Sequence, residues 1–337
     1  MSDGVIEGVF QRGEHLHVVG FADFAAAGGF ELGAGTLARL HPKAHLLLVR
    51  HFPGLVHSLI IGFLIGSIRM EFADIELARR LERAEGRACV EFAEARRRLF
   101  PESGTEWMEC GGAFAVYGGV ESPITQTFGL GIFEELTAAT LDEMERFFFE
   151  RGAAANHEVS PLAGVAALRL LCDRGYRPIE ISSVMWRPTE PRQAADCGRI
   201  RVRAIGSDEA PLWADVSARG WTHQHPELLD FLLGFGVIAA RRQRSICFLA
   251  EYDGTPGAAG ALSIDNGVAL FAGAATVPEL RRRGLQAALL EERLGYAHEQ
   301  GCDLAMMVAE AGGESQRNAE RKGFRVAYTR VKWQKAS

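Results

Sequence analysis

Three consecutive arginines and a glycine near the C-terminal end of the chain, at residues 281–284, have the composition of an anion-binding turn. An apolar stretch precedes the turn and an amphipathic pattern follows it. Gly284 lets the backbone approach a ligand closely, the first N–H groups of a helix have no partner, and the helix dipole adds about half a positive charge there. With charge from Arg281, Arg282 and Arg283, this junction is predicted to hold a pyrophosphate.

The elements that must position this turn are predicted from the apolar periodicity around it. Residues 268–277 are typical of a strand, and the pattern from Gly284 to Gln300 is typical of a helix with one apolar face. A strand at 303–309, a short helix at 314–322 and one or two strands within 324–333 follow. The turn is therefore expected between a strand and the helix after it.

Upstream, strands and helices alternate at lengths typical of a mixed α/β layer. From residue 199 the pattern predicts a strand (199–205), two helices (207–219 and 226–240) and two strands (246–252 and 258–264). Earlier in the chain it predicts helices at 71–99, at 140–151 with Thr140 as N-cap and at 161–174, and strands at 107–117, at 124–133, near Glu158 and at 179–186. The polar, proline-bearing residues 187–196 are predicted to be a linker.

The parts on either side of this linker end alike. Gly175 and Gly323 each follow a helix pattern and lie 148 residues apart, and Trp186 and Trp333 lie 147 apart. This spacing indicates two copies of one α/β unit, with coincidence as the alternative. A shift of 148 residues places the arginine turn at 133–136, which contains two glutamates, and carboxylates there would repel a phosphate.

The first 69 residues are poor in charge compared with the rest of the chain. Their strongest pattern is the uncharged run at 54–68, which is shorter than the roughly 18 residues needed to cross a bilayer. Two interpretations are open: a short or poorly ordered extension, or a natural start at Met70, where the helical pattern begins. The domains are therefore predicted as 1–69, 70–190 and 198–337.

Charge and cysteine usage limit the class of protein. A net charge of −6 argues against general nucleic-acid binding, which needs a basic face. The six cysteines are scattered without a C-x-x-C pair, so neither a zinc site nor a disulfide framework is predicted. Reduced thiols fit a cytoplasmic location. We expect no metal, no membrane partner, and a monomer or homodimer.

The strand end at 275–278, the arginine turn, the long helix and the ending at 321–324 together resemble the acyl-coenzyme A binding region of the GNAT superfamily of N-acetyltransferases. The turn of that family is (Gln or Arg)-x-x-Gly-x-(Gly or Ala). Arg281 and Gly284 match it, whereas Gln286 followed by Ala287 departs mildly from its last position. The resemblance covers residues 198–337. It implies an α/β (α+β) fold of two tandem GNAT-like units, with mixed central sheets flanked by helices and residues 70–190 as a degenerate copy.

The resemblance also implies acetyl-CoA as the co-substrate. In the family, a splay between two strands admits the pantetheine arm, and amides after the turn hold the pyrophosphate. The residues expected to bind the cofactor are Ala275, Thr276, Val277, Arg281, Arg282, Arg283, Gly284, Leu285, Gln286, Ala287, Ala288, Ser315 and Asn318.

Acetyl transfer needs an unprotonated amine beside the thioester, a stabiliser for the oxyanion and an acid for the leaving thiolate. Many members of the family place a tyrosine four residues before the Gly-Phe pair, a position that is Ala319 here. Tyr328 is the candidate substitute acid and Glu310 the candidate base, with His223 or His225 as alternative bases. A structural or solvent-exposed role is the alternative for each of them.

The function expected from this resemblance is transfer of an acetyl group from acetyl-CoA to a primary amine of a small molecule or peptide. Two alternatives stay open. A non-catalytic acyl-CoA-binding regulatory protein is favoured by Ala319. The second alternative is that the arginine turn binds another nucleotide or a phosphate.

Overall fold

The computed structural model describes residues 73–192, 198–222 and 226–336. They belong to one compact unit, Glu71–Ser337. The predictions for residues 1–69, and for His223 and His225 as bases, lie outside the described residues. We call residues 73–192 the first half and residues 198–336 the second half.

Each half alternates strands and helices, as the pattern predicts. The first half contains α1 (Ile75–Leu99), β1 (Glu106–Cys110), β2 (Ala113–Tyr117), β3 (Gln126–Phe128), α2 (Ala138–Phe149), β4 (Ala155–Val159), α3 (Gly164–Asp173) and β5 (Arg177–Pro188). The second half contains β6 (Ile200–Ala204), α4 (Ala210–Trp221), α5 (Leu229–Ala240), β7 (Ser245–Tyr252), β8 (Thr255–Asp265), β9 (Val268–Thr276), α6 (Leu285–Glu299), β10 (Leu304–Glu310), α7 (Glu314–Glu320) and β11 (Arg325–Lys335).

Several predicted elements differ from the structure in detail. The single strand expected at 107–117 is the hairpin of β1 and β2, because Gly111 and Gly112 both take positive φ and turn the chain back. The strand expected at 124–133 is reduced to the three residues of β3.

The other differences concern element ends. The N-cap of α2 is Thr137 rather than Thr140, since the Thr137 side chain accepts the Thr140 N–H. The helix expected at 161–174 opens with a 3-10 turn, and β5 extends into the first two residues of the predicted linker.

The eleven described strands form one mixed sheet in the order β1-β2-β3-β4-β11-β5-β10-β9-β8-β7-β6. Most neighbours are antiparallel, and the parallel pairs are β3 with β4 and β10 with β9. The sequence predicts two units without stating how they join. In the structure they share this single sheet.

The last strand of each half lies in the other half of the sheet. The first half ends with β5, which pairs with β10, and the second half ends with β11, which pairs with β4. The two exchanged strands also pair with each other at the centre. Each of them skips one residue in this pairing, Ile179 in β5 and Ala327 in β11. These irregularities lie 148 residues apart, the same spacing as Gly175 and Gly323.

Helices cover both faces of the sheet around β8 and β9. On one face α4 and α5 pack with α1 in a core that includes Trp213, Ile238 and Phe92. On the other face Leu285 and Leu289 of α6 pack in a second core. Burying an apolar side chain of this size is worth about 1.5–3 kcal/mol, so these two cores hold β9 rigidly between two helical layers.

Candidate active site

The sheet opens between β9 and β10. The two strands pair in parallel over only three residues each, from Leu304 opposite Val268 to Met306 opposite Leu270. Beyond that point β9 stays paired with β8 as far as Thr276, and β10 stays paired with β5 as far as Glu310. We call this gap the β9–β10 opening; its walls are strand edges whose N–H and C=O groups have no partner strand across the gap.

A bulge distorts β9 inside the opening. Ala259 pairs with Ala275 and Ala261 with Ala272, so two residues of β9 lie opposite Gly260 alone. One of the two, Gly273, has a φ of 61°, a conformation that favours glycine. A bulge of this kind turns backbone groups away from the ladder, which makes their N–H donors available to a bound group.

The arginine turn follows β9 and leads directly into α6. Gly284 precedes the helix with a φ of 87°, and Arg282 also takes a positive φ of 61°. No side chain caps the helix, so the N–H groups of its first three residues stay available to an anion. The N–H of Ala288, expected to contribute as well, donates to the Gly284 carbonyl at 3.0 Å.

The three arginines of the turn have different surroundings. The Arg281 guanidinium turns back, with Nε donating to the Thr276 carbonyl and Nη2 to the Gly220 carbonyl. The Arg283 guanidinium lies 4.9 Å from the centre of the Tyr252 ring. All three arginines are exposed, and among the described residues Arg282 makes neither a side-chain hydrogen bond nor a ring contact. It is therefore the arginine best placed to meet a phosphate.

The residues expected to line the pantetheine arm lie at the end of β9. Ala275 and Val277 are buried, and the Val277 N–H donates to the Gly257 carbonyl at 2.9 Å. The Thr276 hydroxyl accepts a hydrogen bond of 2.9 Å from the Gln286 amide. These contacts fix the end of the strand against the first turn of α6.

Across the opening, Glu310 ends β10 as an exposed residue. Ser315 and Asn318 are exposed on α7, and the Asn318 side chain accepts from Arg321. Ala319 is buried against the same core as Phe324. The structure thus brings Glu310, Ser315 and Asn318 to the β10 side of the opening, with a methyl group where many GNAT proteins have a tyrosine.

Tyr328 is not at the opening, because β5 and β10 lie between it and β9. Its hydroxyl donates to Glu82 of α1 at 2.9 Å. Burial, with the Glu82 carboxylate beside the hydroxyl, raises the pKa of Tyr328 well above its usual value. The strand exchange is the reason: β11 belongs to the second half in sequence but lies beside β4 of the first.

Glu82 belongs to a buried cluster of charges around Arg330. The Arg330 guanidinium donates to Glu82 and to Glu85, and its Nε lies 3.0 Å from Glu158. Glu82 also accepts the N–H of Gly129, the first residue after β3. In the first half β3 and β4 pair at only one position, Thr127 opposite His157. Side chains of this cluster therefore occupy the region where those two strands diverge.

The helix that follows β3 also differs from α6, the helix that follows β9. Thr137 caps α2 with its hydroxyl, whereas Gly284 leaves the start of α6 uncapped. The loop before α2 carries Glu134 and Glu135, both exposed. The loop between β3 and α2 therefore lacks the arginines and the uncapped helix start that follow β9.

Two features of this site were missed by the sequence analysis. The bulge at Gly273 has a signal, since a glycine inside a strand pattern indicates a bulge or a close approach. Arg293 of α6 has none: it is buried, it donates to the Leu289 and Ala261 carbonyls, and its guanidinium lies against Gly260. Burial lowers the pKa of Arg293 to about 10.

In the described part of the chain, there is no group of three or more His, Cys, Asp or Glu side chains that could hold a metal ion. No helix in that part has the length and apolar character needed to cross a membrane.

Comparison with solved structures identifies the fold. A GCN5-related N-acetyltransferase from Kribbella flavida matches with a TM-score of 0.56 and 15% identity, over 77% of this chain and 96% of that one. A tandem GNAT protein from the clavulanic acid biosynthesis pathway matches with a TM-score of 0.50 and 14% identity, over 73% of this chain and 87% of that one. At these identities the likeness establishes the α/β fold of GNAT structures.

Comparison at the level of sequence is more specific. Among curated proteins, none matches this chain. The family model described as "Acetyltransferase (GNAT) family" matches residues 210–324, from the start of α4 to the residue before β11. The matched region contains the bulge, the β9–β10 opening and the arginine turn. Residues 210–324 are therefore a GNAT acetyltransferase domain, and the enzyme class is acyltransferase.

Proposed function

We propose that the second half binds acetyl-CoA in the β9–β10 opening and transfers the acetyl group to a primary amine of a small molecule or peptide. The observation that carries this proposal is the continuity of the opening with the uncapped start of α6. An arm in the opening would meet unpaired strand groups, and its pyrophosphate would meet the N–H groups of residues 285–287 and the exposed Arg282 side chain.

The bulge supplies the chemistry for the thioester in this proposal. Backbone N–H groups around Gly273 would stabilise the oxyanion that forms when the amine attacks the carbonyl carbon. Glu310, exposed at the end of β10, is the proposed base for the amine. Tyr328 is a poor acid for the leaving thiolate, because its hydroxyl already donates to Glu82. The thiolate would then leave by taking a proton from solvent.

One acyl-CoA per chain is part of the proposal. The first half is proposed to be a degenerate copy, at residues 70–190, in which Thr137 caps the helix and the Arg330 cluster occupies the divergence of β3 and β4. A cytoplasmic location, and a monomer or homodimer, stay predictions from the sequence.

The test has two stages. Calorimetric titration with coenzyme A is expected to give one site per chain, and acetyl-CoA with a panel of amines is expected to release free thiol faster than acetyl-CoA alone. If coenzyme A neither binds nor shifts the melting temperature, the turn recognises another phosphate and the proposal is wrong.

Ala319 favours a second function, a non-catalytic acyl-CoA-binding regulatory protein, because the position usually taken by the acid carries no polar group. Tight binding of coenzyme A without turnover across a broad amine panel would support that function over catalysis.

A further inference from the structure

Two arginines of the described chain are almost completely buried, and they differ in what balances their charge. Arg330, with 1% of its surface accessible, is surrounded by the carboxylates of Glu82, Glu85 and Glu158. Arg293 of α6, with 2% accessible, has no carboxylate within ion-pair distance among the described residues. A buried cation without an anion is costly to a fold, and such a departure is typical of a functional site.

The surroundings of Arg293 hold its guanidinium without neutralising it. Nε donates to the Leu289 carbonyl and Nη1 to the Ala261 carbonyl, both at 3.2 Å. The Cζ atom lies 4.9 Å from the centre of the Phe271 ring, whose face attracts a cation. The neighbouring titratable group is the Cys247 thiol of β7, and burial raises its pKa to about 11, so it is uncharged at neutral pH. Arg293 itself stays protonated there, since burial lowers its pKa only to about 10.

The guanidinium lies behind the bulge that distorts β9. A Cβ atom built on Gly260 would lie 3.0 Å from the Arg293 Nη1, and Gly260 is the β8 residue opposite the two bulged residues of β9. Arg293 follows Leu285, the first residue of α6, by eight positions, which places it about 12 Å along the helix. The uncompensated cation is therefore at the level of the bulge and away from the helix start, where a pyrophosphate would bind.

We propose that Arg293 is a positioning residue for thioester cleavage, which acts across Gly260 on the bulge and favours the thiolate that leaves in the β9–β10 opening. This inference rests on the proposed function. In the reaction, the amine nitrogen bonds to the carbonyl carbon and gives one proton to Glu310. The C–S bond breaks with its electron pair on sulfur, and the thiolate then takes a proton from solvent.

A cation fixed in a medium of low dielectric lowers the free energy of that sulfur anion. A leaving group that is stabilised as an anion does not need an acid beside it. Arg293 would thus compensate for Ala319, which has a methyl group where many GNAT proteins have a tyrosine.

The experiment titrates the thiol of coenzyme A bound to the full chain, followed by the ultraviolet absorbance of the thiolate. The same titration with coenzyme A that lacks its sulfur atom is subtracted, which removes the signal of the protein's own thiols and phenols. In the unmodified protein, the pKa of the bound thiol is expected to lie about 1 below that of free coenzyme A, because an opposite charge nearby favours the thiolate. Glu310 is present in every variant, so differences between variants report on Arg293.

Three substitutions separate the charge of Arg293 from its hydrogen bonds. Arg293→Lys keeps a charge and a donor, and it is expected to keep part of the lowering of the thiol pKa. Arg293→Gln keeps a donor without the charge, and Arg293→Met removes both, so the thiol pKa is expected to return to the value of free coenzyme A in each. Thiol release from acetyl-CoA at saturating amine should slow in these two variants by up to about tenfold, the most that a change of 1 in leaving-group pKa gives.

Arg201→Gln is the matched control. Arg201 is an exposed arginine of β6, and water screens its charge, so the thiol pKa and the rate of thiol release are expected to stay unchanged. A merely structural role of Arg293 would alter stability without moving the thiol pKa in step with the charge of the side chain.

Each outcome decides one statement. A thiol pKa in Arg293→Gln equal to that of the unmodified protein would overturn the inference, as would an unshifted thiol pKa in the unmodified protein. Absence of coenzyme A binding in the unmodified protein would instead reject the proposed function. Should both uncharged variants fail to fold, Gly260→Ala replaces them, because its added Cβ pushes the guanidinium away from the bulge. The thiol pKa is then expected to rise towards the free value, and an unchanged value would overturn the inference.

Discussion

Gly273 determines the shape of the β9–β10 opening, because the bulge requires a residue that takes a φ of 61° without strain. Replacing it with alanine leaves room for the added methyl group, whose nearest neighbour is a Trp213 ring atom at 3.7 Å. The left-handed conformation then costs about 1–2 kcal/mol. We expect Gly273→Ala to slow thiol release from acetyl-CoA by about tenfold or more while coenzyme A still binds, as measured by steady-state kinetics and calorimetry.

Gly301→Ala is the control for this variant. Gly301 has a φ of 77° at the end of α6, with no atom within 4 Å of an added Cβ, so the backbone strain is comparable and the site is not involved. Equal loss of activity in the two variants would show that strain alone, and not the bulge, causes the effect.

His157 links the stability of the fold to pH. It is fully buried beside the Tyr176 hydroxyl, and burial lowers its pKa to about 3 from a usual value of 6.5. Because the unfolded chain binds this proton near pH 6.5 and the folded chain does not, the free energy of unfolding falls as the pH is lowered from 6.5 towards 3. The loss due to this residue approaches about 1.4 kcal/mol per pH unit.

His157→Gln removes that proton from the unfolded state and keeps a polar group for Tyr176. Urea unfolding at pH 7, 6 and 5 is expected to show a smaller pH dependence in the variant than in the unmodified protein. Parallel curves would mean that His157 does not cause the acid sensitivity.

At the residue scale, the sequence predicts the position of the arginine turn between β9 and α6 but not the environment of Tyr328. The turn is local: arginines, a glycine and a helix start within a few residues define it. The contact between Tyr328 and Glu82 joins residues 246 positions apart and depends on where β11 lies in the sheet. A pattern within one segment carries no information about such a pairing.

At the element scale, α2 and α6 differ in whether a side chain caps their first N–H groups. Thr137 satisfies the start of α2 with its own hydroxyl, and Gly284 leaves the start of α6 open. Thr137→Ala is expected to lower the free energy of unfolding by about 1 kcal/mol. It should not create a second coenzyme A site, because Glu134 and Glu135 still repel a phosphate. Urea unfolding and calorimetric stoichiometry measure the two effects.

Asp74→Ala is the control for Thr137→Ala, because it also removes an N-cap: the Asp74 side chain accepts the Leu77 N–H at the start of α1. A comparable loss of stability in both variants, with one coenzyme A per chain in each, is the expected result. Two coenzyme A molecules per chain in Thr137→Ala would contradict the proposal that the first half is degenerate.

Element types follow from the sequence better than element ends do. Apolar periodicity is strong enough to identify the long helix α1, whose buried face extends over several turns, whereas the buried face of α6 includes the charged side chain of Arg293. The sequence predicts one strand where the structure has the hairpin of β1 and β2. The turn at Gly111 and Gly112 is only two residues long, and strand-forming residues continue on both sides of it. Turn glycines inside such a run are a weak signal for where pairing begins.

At the scale of the whole molecule, the exchanged strands make the two halves interdependent. Neither half has a complete sheet without the last strand of the other. We therefore expect one calorimetric unfolding transition for residues 73–336, with equal van't Hoff and calorimetric enthalpies. Saturating coenzyme A should raise this whole transition, because a ligand of the folded state stabilises everything that unfolds with it. Two separate transitions, with only one moved by coenzyme A, would contradict this.

The exchange could not be predicted from the sequence. The segments that become β5 and β11 end alike and follow similar helices, so each fits the edge beside β4 and the edge beside β10 on pattern alone. The choice depends on contacts made only once the chain is assembled, such as those of Arg330 with Ser182 on β5 and with Glu82 on α1. Local periodicity predicts that two such strands exist, but it does not indicate which strands they pair with.

The position of β11 also has a consequence for how the protein is made. A ribosome delivers the chain from its N-terminus, so β4 has an unpaired edge from the time it forms until residues 325–335 have been synthesised. An open edge of this kind is a template for pairing with another nascent chain. For this protein, domain-by-domain folding during translation is blocked by topology, and the first half reaches its native form only after the second has been synthesised.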